Sequence, residues 1–236
     1  DVDLNSQNIA VESIKSATTT NTCAVMIEPV QGEGGVNVPD PNYLKQVRKW
    51  CDENNLVMIL DEVQTGIGRL GALFGYQKFG VEPDAITLAK GLGGGVPIGA
   101  FLAKDKFCVL APGDHGSTYG GNALTSAGAF AVVDYIVNNG IIDTVDALSD
   151  HLTKGLESLK RKHKVIEEIR GMGLLIAVQF DKDISGDIVG QCNKEGLLLN
   201  PVRPNAIRIM PPLTVSYSEI DLALDRLDIA ITKITS

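Results

Sequence analysis

The sequence predicts an α/β protein with a mostly parallel sheet in its first part and a smaller α+β unit in its second. Between Cys23 and about Phe101, short apolar runs alternate with helical patterns, which is typical of a doubly wound parallel sheet. A mostly apolar helix, Asn122–Val137, then ends at a polar Asn-Asn-Gly turn, and short strands and amphipathic helices follow it. We therefore predict two domains, over residues 1–140 and 141–236. A chain of 236 residues with 44% hydrophobic composition is long enough and apolar enough to form a packed core.

The first part contains a strand-helix-strand pattern. Asp40 and Pro41 are typical of the N-cap and first turn of a helix. Leu44, Val47 and Cys51 share one face of that helix, so we expect this face to be buried. Three short apolar runs are interpreted as buried strands: Cys23–Ile27, Leu56–Leu60 and Ala85–Ala89.

The second part is predicted to be a complete α+β unit. Its last helix is assigned Ser218 as N-cap and Asp221 at the third helical position. Apolar residues then recur every three or four positions to the end of the chain, which favours an amphipathic helix. The other elements predicted here are a helix from about Asp143, a strand pair around Val165–Phe180, a helix near Ser185–Glu195, and short strands at Leu197–Leu199 and Ala206–Met210.

The composition excludes several classes of function. The net charge is −8 and the longest basic cluster is Lys160–Lys164, so we expect no nucleic-acid partner. No stretch approaches the ~18 consecutive apolar residues of a membrane span, so no membrane partner is predicted. The four cysteines lie far apart without a C-x-x-C pair, which favours reduced thiols in the cytoplasm. The three histidines lack metal-ligand spacing, so we predict no metal site.

Asp61 and Lys90 are the first candidates for chemistry. Asp61 follows the second predicted strand and Lys90 follows the third, 29 positions later, close to the ~30 residues of one β-α-β unit. If these strands are parallel, both side chains lie at the sheet edge where ligands bind in open α/β sheets. We expect partial desolvation to make Lys90 a nucleophilic amine. A lysine that forms a Schiff base and a carboxylate that keeps a ring nitrogen protonated are what pyridoxal phosphate requires.

Other interpretations of these residues stay open at this point. Asp61 could be a helix N-cap or turn acid, or a weaker candidate for metal binding. Lys90 could be a solvated lysine that opens a loop. Arg208, in the middle of an apolar run, is either a snorkelling edge residue or a fork aimed at a carboxylate.

Two further motifs are disfavoured. Gly66, Gly68 and Gly71 satisfy G-x-G-x-x-G, but five residues separate them from the preceding strand, whereas a dinucleotide site starts directly after it. A nucleophilic serine at position 117 lacks the G-x-S-x-G elbow, so a hydrolase is disfavoured. The hydroxyls of Ser117 and Thr118 could equally bind a phosphate or make a turn.

Four motifs nevertheless occur together in a fixed order. They are EPVQGEGG at 28–35, LDEVQTG at 60–66, LAKGLGGGVPIG at 88–99 and GDHGSTYGGN at 113–122. In this order they resemble class III, ornithine-type aminotransferases, and the resemblance covers essentially the whole chain. It implies a fold-type I transferase, with the C-terminal part of the pyridoxal phosphate-binding large domain over residues 1–140 and a small C-terminal α+β domain over residues 141–236.

The resemblance also implies roles for residues around the cofactor. Lys90 would hold pyridoxal phosphate through a Schiff base and, once freed, move a proton between substrate and cofactor. Asp61 would bind the pyridinium nitrogen. Val63 would pack on the ring face, and Gln64 would lie against the side of the ring that carries the phenolic oxygen.

Further implied roles concern the substrate and a second subunit. Thr118, with Ser117 beside it, would contact the cofactor phosphate of the neighbouring subunit, which makes the active unit a homodimer. Arg208 would bind the substrate α-carboxylate. Glu33 would pair with Arg208 for one substrate and release it for 2-oxoglutarate, so that one site accepts two differently shaped partners.

Within the family, Gly34, Gly35 and the residues around Lys90 resemble the acetylornithine branch. The implied activity is transfer of the amino group of N-acetylornithine to 2-oxoglutarate in arginine biosynthesis. Ornithine, succinylornithine and 4-aminobutyrate are alternative donors, and a catalytically inactive, dimer-forming scaffold is the alternative of another class.

Family members carry three features upstream of the region that corresponds to Asp1. These are a Ser/Gly/Thr phosphate cup, an aromatic residue that stacks on the cofactor ring, and an arginine for the distal substrate carboxylate. Because this chain contains none of them, we expect it to be the C-terminal portion of a longer subunit. By itself it is expected to bind pyridoxal phosphate weakly or not at all and to be inactive.

Overall fold

The computed structural model describes residues 7–235, which divide into two compact units. The first unit holds the described residues up to Pro29, together with Pro39–Gly68 and Ala72–Gly140. The second unit holds the described residues from Ile141 onwards, together with two short earlier segments, Val30–Val38 and Arg69–Gly71. The sequence patterns do not predict that these two segments belong with the second unit.

The first unit is built on one mixed sheet. Its strands are β1 (Ala24–Ile27), β2 (Val57–Asp61), β3 (Ala85–Leu88) and β4 (Ala100–Ala103), in that order across the sheet. The β1–β2 and β2–β3 pairs are parallel, whereas β3 and β4 are antiparallel. This mostly parallel sheet confirms the predicted fold class. The strand β4 is an addition that the sequence patterns do not predict.

Four α-helices accompany this sheet: α1 (Gln7–Ala17), α2 (Tyr43–Glu53), α3 (Gly75–Phe79) and α4 (Ala123–Asn138). The predicted apolar face of α2 is buried, as expected. Its predicted start is wrong, because the helix begins at Tyr43 after Asn42 rather than at Pro41 after Asp40. The Asp40 carboxylate instead accepts a hydrogen bond from the Asn42 N–H at 2.8 Å, and the Asp40 carbonyl accepts one from the Tyr43 N–H. A turn therefore replaces the predicted first helical turn.

The second unit is an antiparallel sheet with helices that share its core. Leucines spaced three or four residues apart on α5 are buried against sheet residues such as Ile176, Val178 and Ile207. The strands lie in the order β5-β6-β8-β7, so β8 is an inner strand. The elements are α5 (Ile141–Lys162), β5 (Ile166–Met172), β6 (Leu175–Phe180), α6 (Ser185–Lys194), β7 (Asn200–Arg203), β8 (Ala206–Ile209) and α7 (Tyr217–Thr235).

Two predictions in this unit are corrected by the structure. The short strand predicted at Leu197–Leu199 lies instead at Asn200–Arg203, on the edge of the sheet, where the missing N–H of Pro201 is tolerated. The helix α7 begins before Ser218, and its N-terminus is closed by Ser216 and Glu219. The Ser216 N–H donates to the Glu219 carboxylate at 2.8 Å, and the Glu219 N–H donates to the Ser216 hydroxyl at 3.3 Å. This reciprocal pair is a capping box.

Arg69 explains why residues 69–71 belong with the second unit. Its guanidinium donates to the carbonyls of Leu174 at 3.1 Å and Pro211 at 2.6 Å, and its own carbonyl accepts from the Leu174 N–H. Burial lowers the pKa of Arg69 to about 10.

Among the residues that the structure describes, no helix is both long and apolar enough to cross a membrane.

Candidate active site

The carboxyl ends of β2 and β3 bring Asp61 and Lys90 to the same edge of the first sheet. Asp61 is the last residue of β2 and pairs in register with Thr87 on β3, three residues before Lys90. Because the two strands are parallel, their carboxyl ends meet at one edge. The structure thus confirms that the strands are parallel, which is the condition on which this placement depends.

The Asp61 carboxylate is held in place by its own turn and by the neighbouring strand. Its Oδ1 atom accepts hydrogen bonds from the Val63 N–H at 2.9 Å and from the Thr87 hydroxyl at 3.1 Å. The residue is half-buried. Both of these hydrogen bonds end on Oδ1, so Oδ2 can accept from a further donor. A carboxylate fixed in this way can bind the N–H of a cationic ring.

Lys90 adopts a backbone conformation that is uncommon for a residue with a side chain. It begins a 3-10 helix, Lys90–Gly93, with a φ of 44°, in the left-handed region. Such conformations cluster at functional sites because the surrounding structure has to maintain them. The lysine is exposed, so the expectation that it is partly desolvated is wrong for the described chain. The glycines around it have no side chains with which to cover it.

Val63 and Gln64 follow Asp61 in a tightly held loop. Val63 is half-buried and Gln64 is 7% exposed. The same loop contains Ile67, a β-branched residue at a φ of 54°, and its atom Cβ lies 3.8 Å from the position that a Cβ at Gly91 would occupy. Residues 63–74 form turns and bends, and α3 begins only at Gly75. No helix therefore starts directly after Gly66, Gly68 and Gly71, so these glycines do not form the dinucleotide site that G-x-G-x-x-G indicates.

Glu62 is the site residue that sequence reasoning missed. It is 1% exposed, and its carboxylate accepts hydrogen bonds from the Thr65 hydroxyl at 2.6 Å, the Gly75 N–H at 2.7 Å and the Tyr76 N–H at 2.7 Å. Its N–H donates to the Thr87 carbonyl and its carbonyl accepts from the Gly66 N–H. Burial raises the pKa of Glu62 above its usual value, against the lowering effect of these hydrogen bonds. The only sequence signal was a second acid directly after Asp61.

Ser117 and Thr118 lie in an exposed loop before α4. The Ser117 hydroxyl accepts a hydrogen bond from the Gly120 N–H at 2.9 Å, which closes a turn within the loop. The described hydrogen bonds of this loop do not join either residue to Asp61 or Lys90. Both hydroxyls are therefore accessible to a molecule outside the first unit.

In the second unit, Arg208 forms an ion pair with Glu33. The distance between Arg208 Nη1 and Glu33 Oε1 is 2.7 Å. The arginine side chain is 12% exposed and the glutamate side chain 69% exposed. Since β8 is an inner strand, the interpretation of Arg208 as a snorkelling edge residue is wrong, and the fork aimed at a carboxylate is what the structure contains.

A metal centre has no support in the described part of the chain. No group of three or more His, Cys, Asp or Glu side chains between residues 7 and 235 is placed to hold a metal ion. All four cysteines of the chain are free thiols. The first unit thus holds an amine and an oriented carboxylate, and the second unit holds an arginine-glutamate pair.

Known proteins of similar sequence are aminotransferases, named for acetylornithine or succinylornithine. The acetylornithine aminotransferase of Caldanaerobacter subterraneus subsp. tengcongensis is 49% identical over 224 residues, which are 95% of this chain and 57% of that protein. A succinylornithine transaminase/acetylornithine aminotransferase of Pseudomonas aeruginosa is 41% identical over 228 residues, 95% of this chain and 56% of that protein. The chain thus spans a little more than half the length of the curated relatives that it matches.

A solved structure extends the likeness to the fold. The ornithine δ-aminotransferase of Plasmodium falciparum superposes with a TM-score of 0.90 at 35% identity, over 98% of this chain and 61% of that chain. The sequence profile of the class-III aminotransferases matches residues 3–231. The chain therefore belongs to the class-III aminotransferases, an enzyme family that depends on pyridoxal phosphate.

Proposed function

We propose that the protein containing this chain transfers the amino group of N-acetylornithine to 2-oxoglutarate through pyridoxal phosphate, as a step of arginine biosynthesis. The observation that carries the proposal is the ion pair between Arg208 and Glu33. Because the glutamate is largely exposed, it can either stay paired with the arginine or move away and leave the guanidinium free to bind a carboxylate. Two substrates that differ in charge require these two states of the arginine. The names of the similar proteins support N-acetylornithine as the donor.

Asp61 and Lys90 are the residues that fit the cofactor. The Asp61 carboxylate is oriented by the Val63 N–H and the Thr87 hydroxyl, and it would hold the ring nitrogen protonated. When bound there, pyridoxal phosphate supplies the electron sink that makes the hydrogen on the amine-bearing carbon acidic. The Lys90 amine would link covalently to the cofactor and, when released, carry that proton. Its exposure makes it accessible to both cofactor and substrate.

The neighbours of Asp61 would fix the cofactor ring. Val63 packs on one ring face and Gln64 lies beside the phenolic oxygen in this proposal, which their position in the loop held by Glu62 supports. Ser117 and Thr118 would contact the phosphate of a cofactor in a second subunit. Their exposure is compatible with that role.

Arg208 and Glu33 would divide the work between two substrates. With 2-oxoglutarate, Glu33 moves aside and the Arg208 guanidinium binds the α-carboxylate. With N-acetylornithine reacting through its terminal amine, Glu33 stays paired with Arg208 and neutralises it. Because only 12% of the Arg208 side chain is exposed, an unpaired charge there is costly, so the glutamate stabilises the donor-bound form.

A homodimer in the cytoplasm completes the proposal. Large apolar side chains are exposed on and beside α4, with Tyr119 82%, Leu124 77% and Phe130 73% exposed, and a second copy would cover them. Sedimentation analysis should give a dimer, and a monomer at micromolar concentration would contradict this part of the proposal.

A coupled glutamate assay with four amino donors tests the substrate. N-acetylornithine is expected to give the highest kcat/KM, about tenfold or more above ornithine, succinylornithine and 4-aminobutyrate. Lys90→Ala should abolish the reaction with every donor. A higher kcat/KM with another donor would overturn the choice of substrate. Two of the alternatives have support of their own, since similar proteins carry the names of ornithine and succinylornithine enzymes.

A further inference from the structure

The loop that carries Glu33 is closed and strained. Gln31 and Asn37 form an isolated antiparallel bridge across its base, with backbone hydrogen bonds of 3.1 Å in both directions. Within the loop, Gly35 has a φ of 119° and Val36 a φ of 54°. A β-branched residue in the left-handed region costs energy and persists only where its surroundings hold it. Contacts from outside the loop therefore have to hold it in this conformation.

Two arginines donate hydrogen bonds to two consecutive carbonyls of the loop, and we call this arrangement the clamp. Arg203 donates through Nε and Nη2 to the Gly34 carbonyl at 3.0 and 2.7 Å. Arg170 donates through Nε and Nη2 to the Gly35 carbonyl at 3.1 and 2.8 Å. Each guanidinium thus uses two donors of its planar fork on one oxygen, a geometry that fixes the position of the backbone.

The strand register of the second sheet places these arginines beside Arg208. Arg170 on β5 pairs with Ala177 on β6, and Ala177 pairs with Arg208 on β8. Paired residues of adjacent strands project from the same face, so Arg170 and Arg208 flank a single small alanine. Arg203 on β7 pairs with Ala206, two residues before Arg208 and so on that face too. The Glu33 loop runs across these arginines: Glu33 forms its ion pair with Arg208, and the Gly35 carbonyl accepts hydrogen bonds from Arg170.

Gly35 is fitted closely between the two clamping arginines. A Cβ atom added there would lie 3.4 Å from Arg203 Nε and 3.5 Å from Arg170 Nη2. These distances are ordinary van der Waals contact, so space alone does not exclude a side chain. The φ of 119° would strain any side chain, and this backbone angle is why the position favours glycine.

We propose that Arg170 and Arg203 are positioning residues that hold the Glu33 loop against Arg208 and so set the preference of the enzyme between its two substrates. The proposal rests on the substrate roles given above to Glu33 and Arg208. If the loop were unrestrained, an ion pair between its exposed glutamate and Arg208 would contribute little free energy. The reason is that forming the pair would cost the conformational entropy of the loop. Fixing the carbonyls of the next two residues removes most of that cost.

The test is Arg203→Met, because both side-chain hydrogen bonds of Arg203 to described residues end on the Gly34 carbonyl. In single-turnover measurements on the complete enzyme, the donor half-reaction with N-acetylornithine should lose about fivefold in kcat/KM relative to the acceptor half-reaction with 2-oxoglutarate. Gly35→Ala, which disturbs the clamp from the loop side, should give a similar change. Arg226→Met is the matched control, since Arg226 donates to the Gly196 carbonyl on another loop.

Two readouts separate this inference from the proposed function. Glu33→Gln should lower the donor-to-acceptor ratio by itself, and adding Arg203→Met to it should have no further effect. A normal ratio in Glu33→Gln would contradict the role of Glu33, whereas a normal ratio in Arg203→Met alone would overturn the clamp.

Hydrogen exchange measures the clamp without any reaction. The amides of Val36 and Asn37, which bond to carbonyls within the loop, should exchange faster in Arg203→Met than in Arg226→Met. Equal protection of these amides in the two variants would refute the clamp, whatever the kinetics show.

Discussion

Replacing Glu62 with Gln should destabilise the first unit by about 2 kcal/mol, although the two side chains have nearly the same shape. One carboxylate oxygen accepts from the Tyr76 N–H and the other from the Gly75 N–H and the Thr65 hydroxyl. The hydroxyl can reverse its role, but the backbone N–H groups cannot. Whichever way the amide is oriented, one buried N–H then faces an NH₂ group and loses its acceptor, which costs about 1–3 kcal/mol.

Urea unfolding followed by the fluorescence of Trp50 measures this cost. Trp50 is the one tryptophan of the chain and lies on α2 of the first unit, so its signal reports on that unit. With an m-value of about 2 kcal/mol per molar, the midpoint should fall by about 1 M. Glu82→Gln is the control, because Glu82 is 74% exposed and its pair with Lys104 is worth less than about 1 kcal/mol. A Glu62→Gln midpoint no lower than that of the control would refute the reasoning.

Three further predictions concern a buried acid, a helix cap and the carboxylate at the sheet edge. Burial raises the pKa of Asp84, but hydrogen bonds from a backbone N–H and a guanidinium outweigh burial and hold this pKa below its usual value. The ionised carboxylate therefore contributes stability above pH ~4 that is lost at lower pH. In urea titrations at several pH values, Asp84→Asn should destabilise the protein most at neutral pH. Ser216→Ala should cost about 1 kcal/mol by removing the α7 cap, whereas Ser218→Ala should change the free energy of unfolding by a few tenths at most; equal effects would contradict the capping box. Thr87→Val, which removes a hydrogen bond to Asp61, should weaken pyridoxal phosphate binding about fivefold in a spectroscopic titration of the complete enzyme, and unchanged affinity would contradict the orienting role of Thr87.

The sequence allowed the first sheet and the Asp61–Lys90 edge to be predicted because both depend on local patterns. Buried strands that end in charged residues are visible as apolar runs, and parallel pairing follows from the β-α-β spacing. The strand β4 was missed because its four residues, Ala-Phe-Leu-Ala, show no alternation of apolar and polar side chains and it pairs with β3 only in the tertiary structure. The strand β7 was misplaced because Pro201 argues against a strand until its edge position is known.

The roles of Glu62, Arg170 and Arg203 could not be predicted from the sequence. The Glu62 carboxylate meets N–H donors at positions 75 and 76, the first residues of α3, and no local pattern fixes the path of the loop that brings them there. The two arginines reach the Glu33 loop across 135 and 169 positions of sequence, and only the strand register aligns them. In contrast, the α7 capping box has a sequence signal, since Ser216 and Glu219 stand three residues apart, but the cap was wrongly predicted at Ser218 and Asp221.

The most direct test of the account is to locate the residue that binds the cofactor covalently. The complete enzyme, saturated with pyridoxal phosphate, is reduced with borohydride, digested and analysed by mass spectrometry. The account predicts that the peptide containing Lys90 carries the added cofactor mass and that Lys90→Ala lacks it. Labelling of another lysine in the wild-type enzyme, or undiminished labelling in Lys90→Ala, would contradict the central claim that the exposed amine at the carboxyl end of β3 is the catalytic group.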